Sequence, residues 1–209
     1  MVAANAVHPR ADSSNALTPE FFARDTVLVA RELLGAILIS TVGGERTAGR
    51  IVETEAYIGP HDPASHAAER IGRTQRNETM FGVPGLAYVY RIYGAHWCLN
   101  AVTHDAEFPA AVLIRALEPI EGIDVMRRRR NQSDVRQLAS GPGKLAQALA
   151  IDGTLDAHPL DEAPLWIEAG TRISRTMIVH GPRIGITKAA DWPLRFCIRD
   201  NLFLSRKHP

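Results

Sequence analysis

RIVETEAY at residues 50–57 alternates like a strand, but it carries acids where a buried strand would carry aliphatic side chains. Alternate residues of a strand share a face, so Ile51, Glu53, Glu55 and Tyr57 are predicted to point one way. Because unpaired carboxylates are almost never fully buried, these acids indicate a cleft. On one face the two carboxylates would be about 7 Å apart. Their mutual repulsion and their desolvation would raise the pKa of at least one of them, which suits acid–base catalysis. Two solvated charges on an edge strand are the alternative.

All the tyrosines of the chain fall within residues 50–100, the window that this strand opens: Tyr57, Tyr88, Tyr90 and Tyr93. For any single tyrosine a place in a buried aromatic core is the alternative, since tyrosine is a normal strand residue. Aromatic faces also stack on nucleobases, each contributing about 1–3 kcal/mol. Tyr93 is predicted at a hairpin tip beside Gly94, where an exposed aromatic ring can wedge between base pairs.

Length and composition favour one compact domain. With 209 residues and 45% hydrophobic content, the chain can bury one sizeable core. We expect this domain over residues 17–209, after a disordered segment at 1–16 that carries no motif. No window approaches about 20 apolar residues, so a soluble intracellular protein without a membrane partner is expected. Its compartment would be the cytoplasm, at the nucleoid, in a bacterium, or the nucleus in a eukaryote.

No metal ion or other cofactor is expected. Cys98 and Cys197 are the two cysteines, too few for a disulfide scaffold and without a CxxC pair for zinc, so buried thiols are expected. His61 and His66 flank Asp62 in a predicted loop, but such a pair is weak evidence for a metal site.

The pattern of elements predicts a mixed α+β fold. Helices are expected from Thr18, from Asp25 to Gly35, and at 121–130 and 140–151. Strands are expected at 36–42, 45–57, 86–92, 96–102, 110–117, 164–168, 173–179, 183–187 and 195–199. Since regular crossover helices do not separate these strands, a doubly wound sheet is disfavoured.

The formal charge of +1 hides an uneven distribution. By blocks, the net charge is −4 over residues 1–69, +4 over 70–144, −5 over 145–171 and +6 over 172–209. Two basic blocks on one face would bind phosphates, because counterion release depends on the contacted phosphates alone.

SGPGK at 140–144 is similar to a phosphate cradle, with backbone N–H groups at a helix start and Lys144 adding charge. Because the GxxxxGK[ST] spacing is missing, contact with a phosphate backbone is favoured over nucleotide hydrolysis. The arginine run at 127–130 is interpreted as a solvated helix end that gives only supporting charge.

Several short motifs follow one another along most of the chain. They are VETEAY at 52–57, RNETMF at 76–81, YVYRIYG at 88–94, RALEP at 115–119, SGPGKLAQAL at 140–149 and PRIGI at 182–186. Each is weak alone, but the ordered set resembles the alkyladenine (3-methyladenine) DNA glycosylases of the mammalian type, a family also found in bacteria. The resemblance implies a single α+β domain on a curved, mostly antiparallel sheet, with a protruding β-hairpin that probes DNA.

The resemblance also implies a role for each matching residue. Glu55 resembles the general base that activates water for attack at the sugar C1′ carbon. Arg115 resembles the arginine that helps to hold this water, with the backbone near Ile184 as a third anchor. Glu53 has no equally firm assignment.

The remaining implied roles concern the base and the DNA. Tyr57, His66 and Tyr90 resemble the residues that sandwich the flipped base, and Asn100 resembles the asparagine that disfavours the exocyclic amine of normal guanine. Tyr93 resembles the intercalating residue. The candidates for contacts with the DNA backbone are Arg73, Arg76, Gly143 and Lys144.

The implied enzyme is a monofunctional DNA glycosylase of base-excision repair, acting as a monomer on double-stranded DNA with damaged purines. Its expected substrates are 3-methyladenine, 7-methylguanine, hypoxanthine and ethenoadenine. A base inside a duplex has to be extruded before its glycosidic bond is reached, and a cationic alkylated purine binds strongly between aromatic faces. No lysine lies in VETEAY or YVYRIYG for a Schiff base, which favours hydrolysis without strand cleavage.

Two alternatives from other classes remain open. A non-catalytic DNA-damage-binding protein would keep Tyr93 and Asn100, but it would be expected to lose the acid, and Glu55 is present. A purine-nucleoside-modifying enzyme would also need stacking and a carboxylate. It would not need the wedge tyrosine or the basic block at 172–209.

Overall fold

The computed structural model describes residues 15–92 and 94–207. Its strands are β1 (Ile37–Ser40), β2 (Thr47–Tyr57), β3 (Ala87–Ile92), β4 (His96–Thr103), β5 (Ala110–Glu121), β6 (Asp161–Glu162), β7 (Leu165–Glu168), β8 (Ile178–Gly181) and β9 (Arg195–Ile198). Its α-helices are α1 (Pro19–Phe22), α2 (Thr26–Glu32), α3 (Ile123–Arg130) and α4 (Pro142–Ala148).

These strands form one antiparallel sheet in the order β3-β4-β5-β2-β1-β7-β6, with β9 beside β2 and β8 beside β9. One edge of β2 pairs with β5, and its other edge is shared by β1 at residues 47–50 and β9 at residues 53–55. The predicted fold class, a single mixed α+β domain on a curved antiparallel sheet, is confirmed.

The main core lies between this sheet and the helices α2 and α4. The Asp25 carboxylate caps α2 by accepting the N–H of Leu28 at 2.9 Å, as its position predicts. The Thr54 hydroxyl of β2 donates to the Ala30 carbonyl of α2 at 2.8 Å, so this face of β2 is closed by the helix. The opposite face of β2 is therefore the one left for a site.

Bulges interrupt the pairing of β2 with β5 and determine which side chains of β2 lie on this face. At the first bulge, between the pairs Ile51–Leu117 and Glu53–Ala116, the extra residue lies on β2. At the second, between Glu53–Ala116 and Thr54–Ile114, the extra residue is Arg115 on β5. Such bulges re-aim side chains and occur often beside active sites. Ile51 lies in the main core, so the predicted common face of the acids begins only after the bulge.

Two predicted strands near the end of the chain are wrong in detail. Residues 175–177 form a 3-10 turn, and β8 begins only at Ile178. Residues 182–187 form a loop in which Gly185 has a φ of +79°. In this loop the Ile184 N–H donates to a carboxylate of β2 rather than to a neighbouring strand, which explains the absence of pairing.

Residues 1–14 lie outside the described residues, so the disorder expected over 1–16 stays a prediction. At Ala16 the chain forms a bridge to Glu168 of β7. No helix among the described residues is long and apolar enough to cross a membrane. Cys98 and Cys197 are free and buried, as predicted.

Candidate active site

A cavity of about 270 Å³ opens on the face of the sheet opposite α2. Five of the residues predicted to touch a base or a water line this cavity: Tyr57, His66, Tyr90, Asn100 and Arg115. Its volume is at the small end of the range for ligand sites, which suits one flat ring system. Glu55 has no exposed surface and lies directly behind this lining, bonded to Tyr57 and Ile184.

The strands β3 and β4 bring the aromatic side of the cavity together. The rings of His66 and Tyr90 meet edge to face at 4.5 Å, and Tyr88 stacks on Tyr90 at 5.2 Å between centroids. Tyr88 is 2% exposed and belongs to a buried cluster, so the core interpretation holds for its ring. Tyr57 and Tyr90 are half-buried and present surface to the cavity.

His66 is held as a neutral ring. Burial, and next the positive charge of Arg76, lower the pKa of His66 below its ordinary value. Its Nδ1 atom is 2.9 Å from the Tyr88 hydroxyl, which leaves Nε2 as the ring nitrogen free to meet a ligand. A neutral imidazole does not repel a cationic ligand.

The Glu55 carboxyl is prepared to accept a proton. Burial raises the pKa of Glu55, against the opposing effects of the Arg115 charge, the Ile184 N–H and the Tyr57 hydroxyl. The Ile184 N–H donates to Oε1 at 2.7 Å, and the Tyr57 hydroxyl donates to Oε2 at 3.1 Å. Arg115 Nη1 is 3.3 Å from Oε2. A buried carboxyl with a raised pKa beside a cavity is typical of a general base.

Glu53 is equally buried, but donors from the protein surround it. Its carboxylate accepts hydrogen bonds from Arg115 Nε at 3.2 Å, Arg195 Nε at 2.7 Å, Ser205 N at 2.6 Å and Ser205 Oγ at 2.7 Å. A carboxylate offers about four acceptor sites. Glu53 therefore has little capacity left to bind a water, in contrast to Glu55.

A further buried ion pair, which the sequence analysis missed, lies beside the 182–187 loop, whose residues 184–186 line the cavity. Arg183 forms a bidentate pair with Asp62, and both side chains have no exposed surface. Its Nη1 also donates to the Ala56 carbonyl at 3.0 Å, and its guanidinium lies 4.6 Å from the centre of the Tyr57 ring. Arg183 thus ties the 182–187 loop, and with it the Ile184 N–H, to β2.

The candidates for DNA-backbone contact lie in different settings. Arg73 is held by Glu78 and Glu107, with N–O distances of 2.6 and 2.7 Å. Arg76 lies 5.4 Å above the Tyr90 ring and donates to the Arg91 carbonyl at 3.0 Å. Tyr93 lies outside the described residues.

The remaining two candidates open α4. Lys144 Nζ donates to Gln137 and Ser140 at 2.7 and 3.2 Å, so its charge is set beside the turn that precedes the helix. A Cβ atom on Gly143 would come 3.0 Å from the Cβ of His96 at the start of β4, so any larger residue here would require His96 to shift. The SGPGK turn therefore lies against the β3–β4 hairpin close to its tip, where His96 pairs with Ile92.

The arginine run at 127–130 is mostly structural. Arg129 Nη1 and Nη2 donate to the carbonyls of Ala148 and Val42, each at 3.1 Å, and Arg130 donates to the Leu138 carbonyl at 3.1 Å. The side chain of Arg129 is 17% exposed, so the predicted solvated helix end is wrong for this residue. These donors satisfy carbonyls that would otherwise be left unpaired near helix ends.

In the part of the chain that the structure describes, no three His, Cys, Asp or Glu side chains converge as a metal site would require. The absence of a metal ion stays a prediction.

Comparison with known proteins identifies the family. The family model of the methylpurine-DNA glycosylases matches residues 20–202. A relative from Rhodopseudomonas palustris is 52% identical over 193 residues, covering 92% of this chain and 89% of the relative. Relatives from Methanoculleus marisnigri and Carboxydothermus hydrogenoformans are 48% and 46% identical, each covering 91% of this chain and 99% of the relative.

All three relatives are named 3-methyladenine DNA glycosylase. The resemblance stated from the motifs and the expected enzyme class, a glycosylase of DNA repair, are both confirmed. The chain belongs to the methylpurine-DNA glycosylase family.

Proposed function

We propose that this protein extrudes damaged purines from double-stranded DNA into the aromatic cavity and hydrolyses their N-glycosidic bonds. The proposed substrates are 3-methyladenine, 7-methylguanine, hypoxanthine and ethenoadenine. The observation that carries the proposal is the buried Glu55 carboxyl behind an aromatic cavity, with Arg115 and the Ile184 N–H around it.

The cavity walls fit a flat, electron-poor ring. A base between Tyr57 on one side and His66 with Tyr90 on the other would meet π faces, and a cationic alkylpurine gains most from such faces. The Asn100 amide donates to the Tyr88 carbonyl at 3.0 Å, which fixes its orientation in the buried wall. In this fixed position Asn100 is proposed to disfavour the exocyclic amine of normal guanine.

The chemical step needs one water, held at the cavity wall in front of the buried Glu55 carboxyl. Glu55 takes a proton from a water held beside Arg115, and the oxygen forms a bond to C1′. The C1′–N bond breaks, and its electron pair leaves with the purine. A cationic alkylpurine leaves as a neutral base, whereas the neutral substrates hypoxanthine and ethenoadenine leave as anions that take a proton from solvent water. The carboxylate also stabilises the positive charge that develops on the sugar.

The cavity lining supports hydrolysis without strand cleavage. Among the described residues that line the cavity there is no lysine, and so no primary amine that forms a Schiff base with C1′. The abasic sugar therefore leaves the enzyme with both flanking phosphodiester bonds intact.

The DNA would run across the β3–β4 hairpin and the SGPGK turn. Gly143 and Lys144 face one strand of the backbone, and Arg76 stands at the rim of the cavity. Arg73 would have to exchange its partners Glu78 and Glu107 for a phosphate. We propose that a monomer binds the duplex in this way, at the nucleoid if the cell is bacterial.

Replacement of Tyr93 by Ala should weaken base release from fully paired duplexes by about 10-fold or more, because the gap left by the extruded base is no longer filled. Release from a lesion in single-stranded DNA should change little, since there is no stack to reopen. Parallel rate measurements on the two substrates make the comparison. An equal loss, or no loss, on both substrates would contradict the wedge role.

Replacement of Tyr57 by Phe should move the acid side of the pH–rate profile to higher pH. Glu55 acts only when it is deprotonated, so activity falls as the pH drops through its raised pKa. The Tyr57 hydroxyl donates to Glu55 and lowers that pKa, so its removal raises the pKa further. Single-turnover rates across pH test this, and a profile shifted to lower pH would contradict it.

The proposed function is tested with labelled duplexes, each carrying one of the four lesions or only normal bases, followed by alkali to cut abasic sites. We expect cutting that depends on both the lesion and alkali. Lesion-selective retention in a gel without cutting would favour a damage-binding protein. Activity on free nucleosides equal to that on duplexes would favour a nucleoside enzyme.

A further inference from the structure

The segment at residues 201–207 packs against Glu53, one of the two buried acids of β2. The Ser205 N–H and hydroxyl donate to the two oxygens of Glu53 at 2.6 and 2.7 Å. One residue later, the Arg206 carbonyl accepts a hydrogen bond from Arg195 Nη2 at 2.6 Å. The segment is therefore attached both to β2, through Glu53, and to β9, through Arg195.

Ser205 also contacts Arg115, the arginine beside the proposed general base Glu55. Arg115 directs Nε to Glu53 at 3.2 Å, Nη1 to Glu55 at 3.3 Å and Nη2 to the Ser205 hydroxyl at 3.4 Å. A guanidinium is a planar, rigid fork, so contacts at three of its corners fix its rotation as well as its position. The Ser205 hydroxyl therefore has two partners, since it donates to Glu53 and accepts from Arg115.

We infer that Ser205 is a positioning residue for catalysis: through Glu53 and Arg115 it holds the guanidinium in the orientation that faces Glu55. This inference rests on the proposed role of Glu55 as the base. Ser205 does not line the cavity, so it acts through Arg115 and not on the purine. It also gives Glu53 a role, as the carboxylate that joins the 201–207 segment to Arg115.

The inference makes a prediction that a purely structural role would not. The titratable and charged groups that act on Glu55 are Glu53, Tyr57, Cys98, Arg115 and Cys197. Replacement of Ser205 by Ala changes none of these charges, but it frees one corner of the Arg115 fork. A guanidinium that turns away compensates the Glu55 charge less, so the acid side of the pH–rate profile moves to higher pH.

The test compares Ser205→Ala with wild type in single-turnover base release across pH and in binding to a lesion duplex. Ser174→Ala is the matched control, since the Ser174 hydroxyl is exposed and bonds only to Thr176 at 3.0 Å among the described residues. For Ser205→Ala we expect a rate about 10-fold lower at neutral pH, a profile shifted to higher pH, and unchanged binding. The control should match wild type throughout.

Two outcomes would overturn the inference. One is a Ser205→Ala profile that coincides with wild type, and the other is a rate lowered equally at every pH. Glu55→Gln, included in the same series, separates this failure from failure of the proposed function. If wild type is active and Glu55→Gln is not, the base role stands whatever Ser205→Ala does. If Glu55→Gln remains active, the base role fails first.

Discussion

Replacement of Glu55 by Gln is expected to reduce base release by about 10²–10⁴-fold while binding to a damaged duplex is retained. Glutamine keeps the size of the side chain and a carbonyl oxygen that accepts from Ile184, but it does not take a proton from water. The aromatic walls and the backbone contacts that bind DNA are unchanged. Single-turnover release of the base and a gel-shift titration, made on the same lesion duplex, measure the two effects separately.

The exposed carboxyl of Glu162 on β6 provides the control, and Glu162→Gln should behave as wild type in both measurements. Unchanged base release by Glu55→Gln would remove Glu55 as the base. Loss of binding together with loss of release would show that the carboxyl acts in recognition rather than in the chemical step.

Replacement of Arg183 by Met is expected to lower the free energy of unfolding by about 3–5 kcal/mol, because Asp62 is left as an unpaired buried charge. Base release should fall as well, since Arg183 anchors the loop that supplies the Ile184 N–H to Glu55. Urea unfolding of wild type and variant measures the first effect. The double variant Asp62→Asn with Arg183→Met removes both charges and should recover part of the lost stability.

Arg73→Met is the matched control for stability, because the pairs of Arg73 with Glu78 and Glu107 are exposed to water. It should leave the free energy of unfolding almost unchanged. If Arg183→Met is as stable as Arg73→Met, the buried pair does not hold the loop. If the double variant is less stable than Arg183→Met, the unpaired charge of Asp62 is not the cause of the loss.

The parts of the fold that local rules determine were predicted well from the sequence. The Asp25 cap, the strand that ends at Tyr57 and the hairpin around Gly94 follow from capping, alternation and turn preferences over a few residues. The predicted strand at 183–187 was wrong because its decisive hydrogen bond reaches Glu55, more than a hundred residues earlier. Period-two patterning within the segment carries no trace of that partner.

In the candidate site, too, some residues were predicted from the sequence and others were missed. Tyr57, Tyr90 and Arg115 lie in the quoted motifs, and His66 and Asn100 lie between them; the structure brings all five to one cavity. The residues that orient them were missed: Asp62, Arg183, Arg195 and Ser205. Asp62 and Arg183 lie 121 residues apart in the sequence. Arg195 and Ser205 lie 142 and 152 residues after their partner Glu53. A residue whose role is to hold another has no local signal.

We propose, above all, that the protein frees a damaged purine by hydrolysis and leaves the strand whole. The most direct measurement is chromatography of the bases released from a hypoxanthine or 3-methyladenine duplex, with strand length determined before and after alkali. We predict free base in amounts equal to the alkali-sensitive sites, and full-length strands before alkali. Strands cut without alkali, or a bound lesion from which no free base is released, would contradict the account.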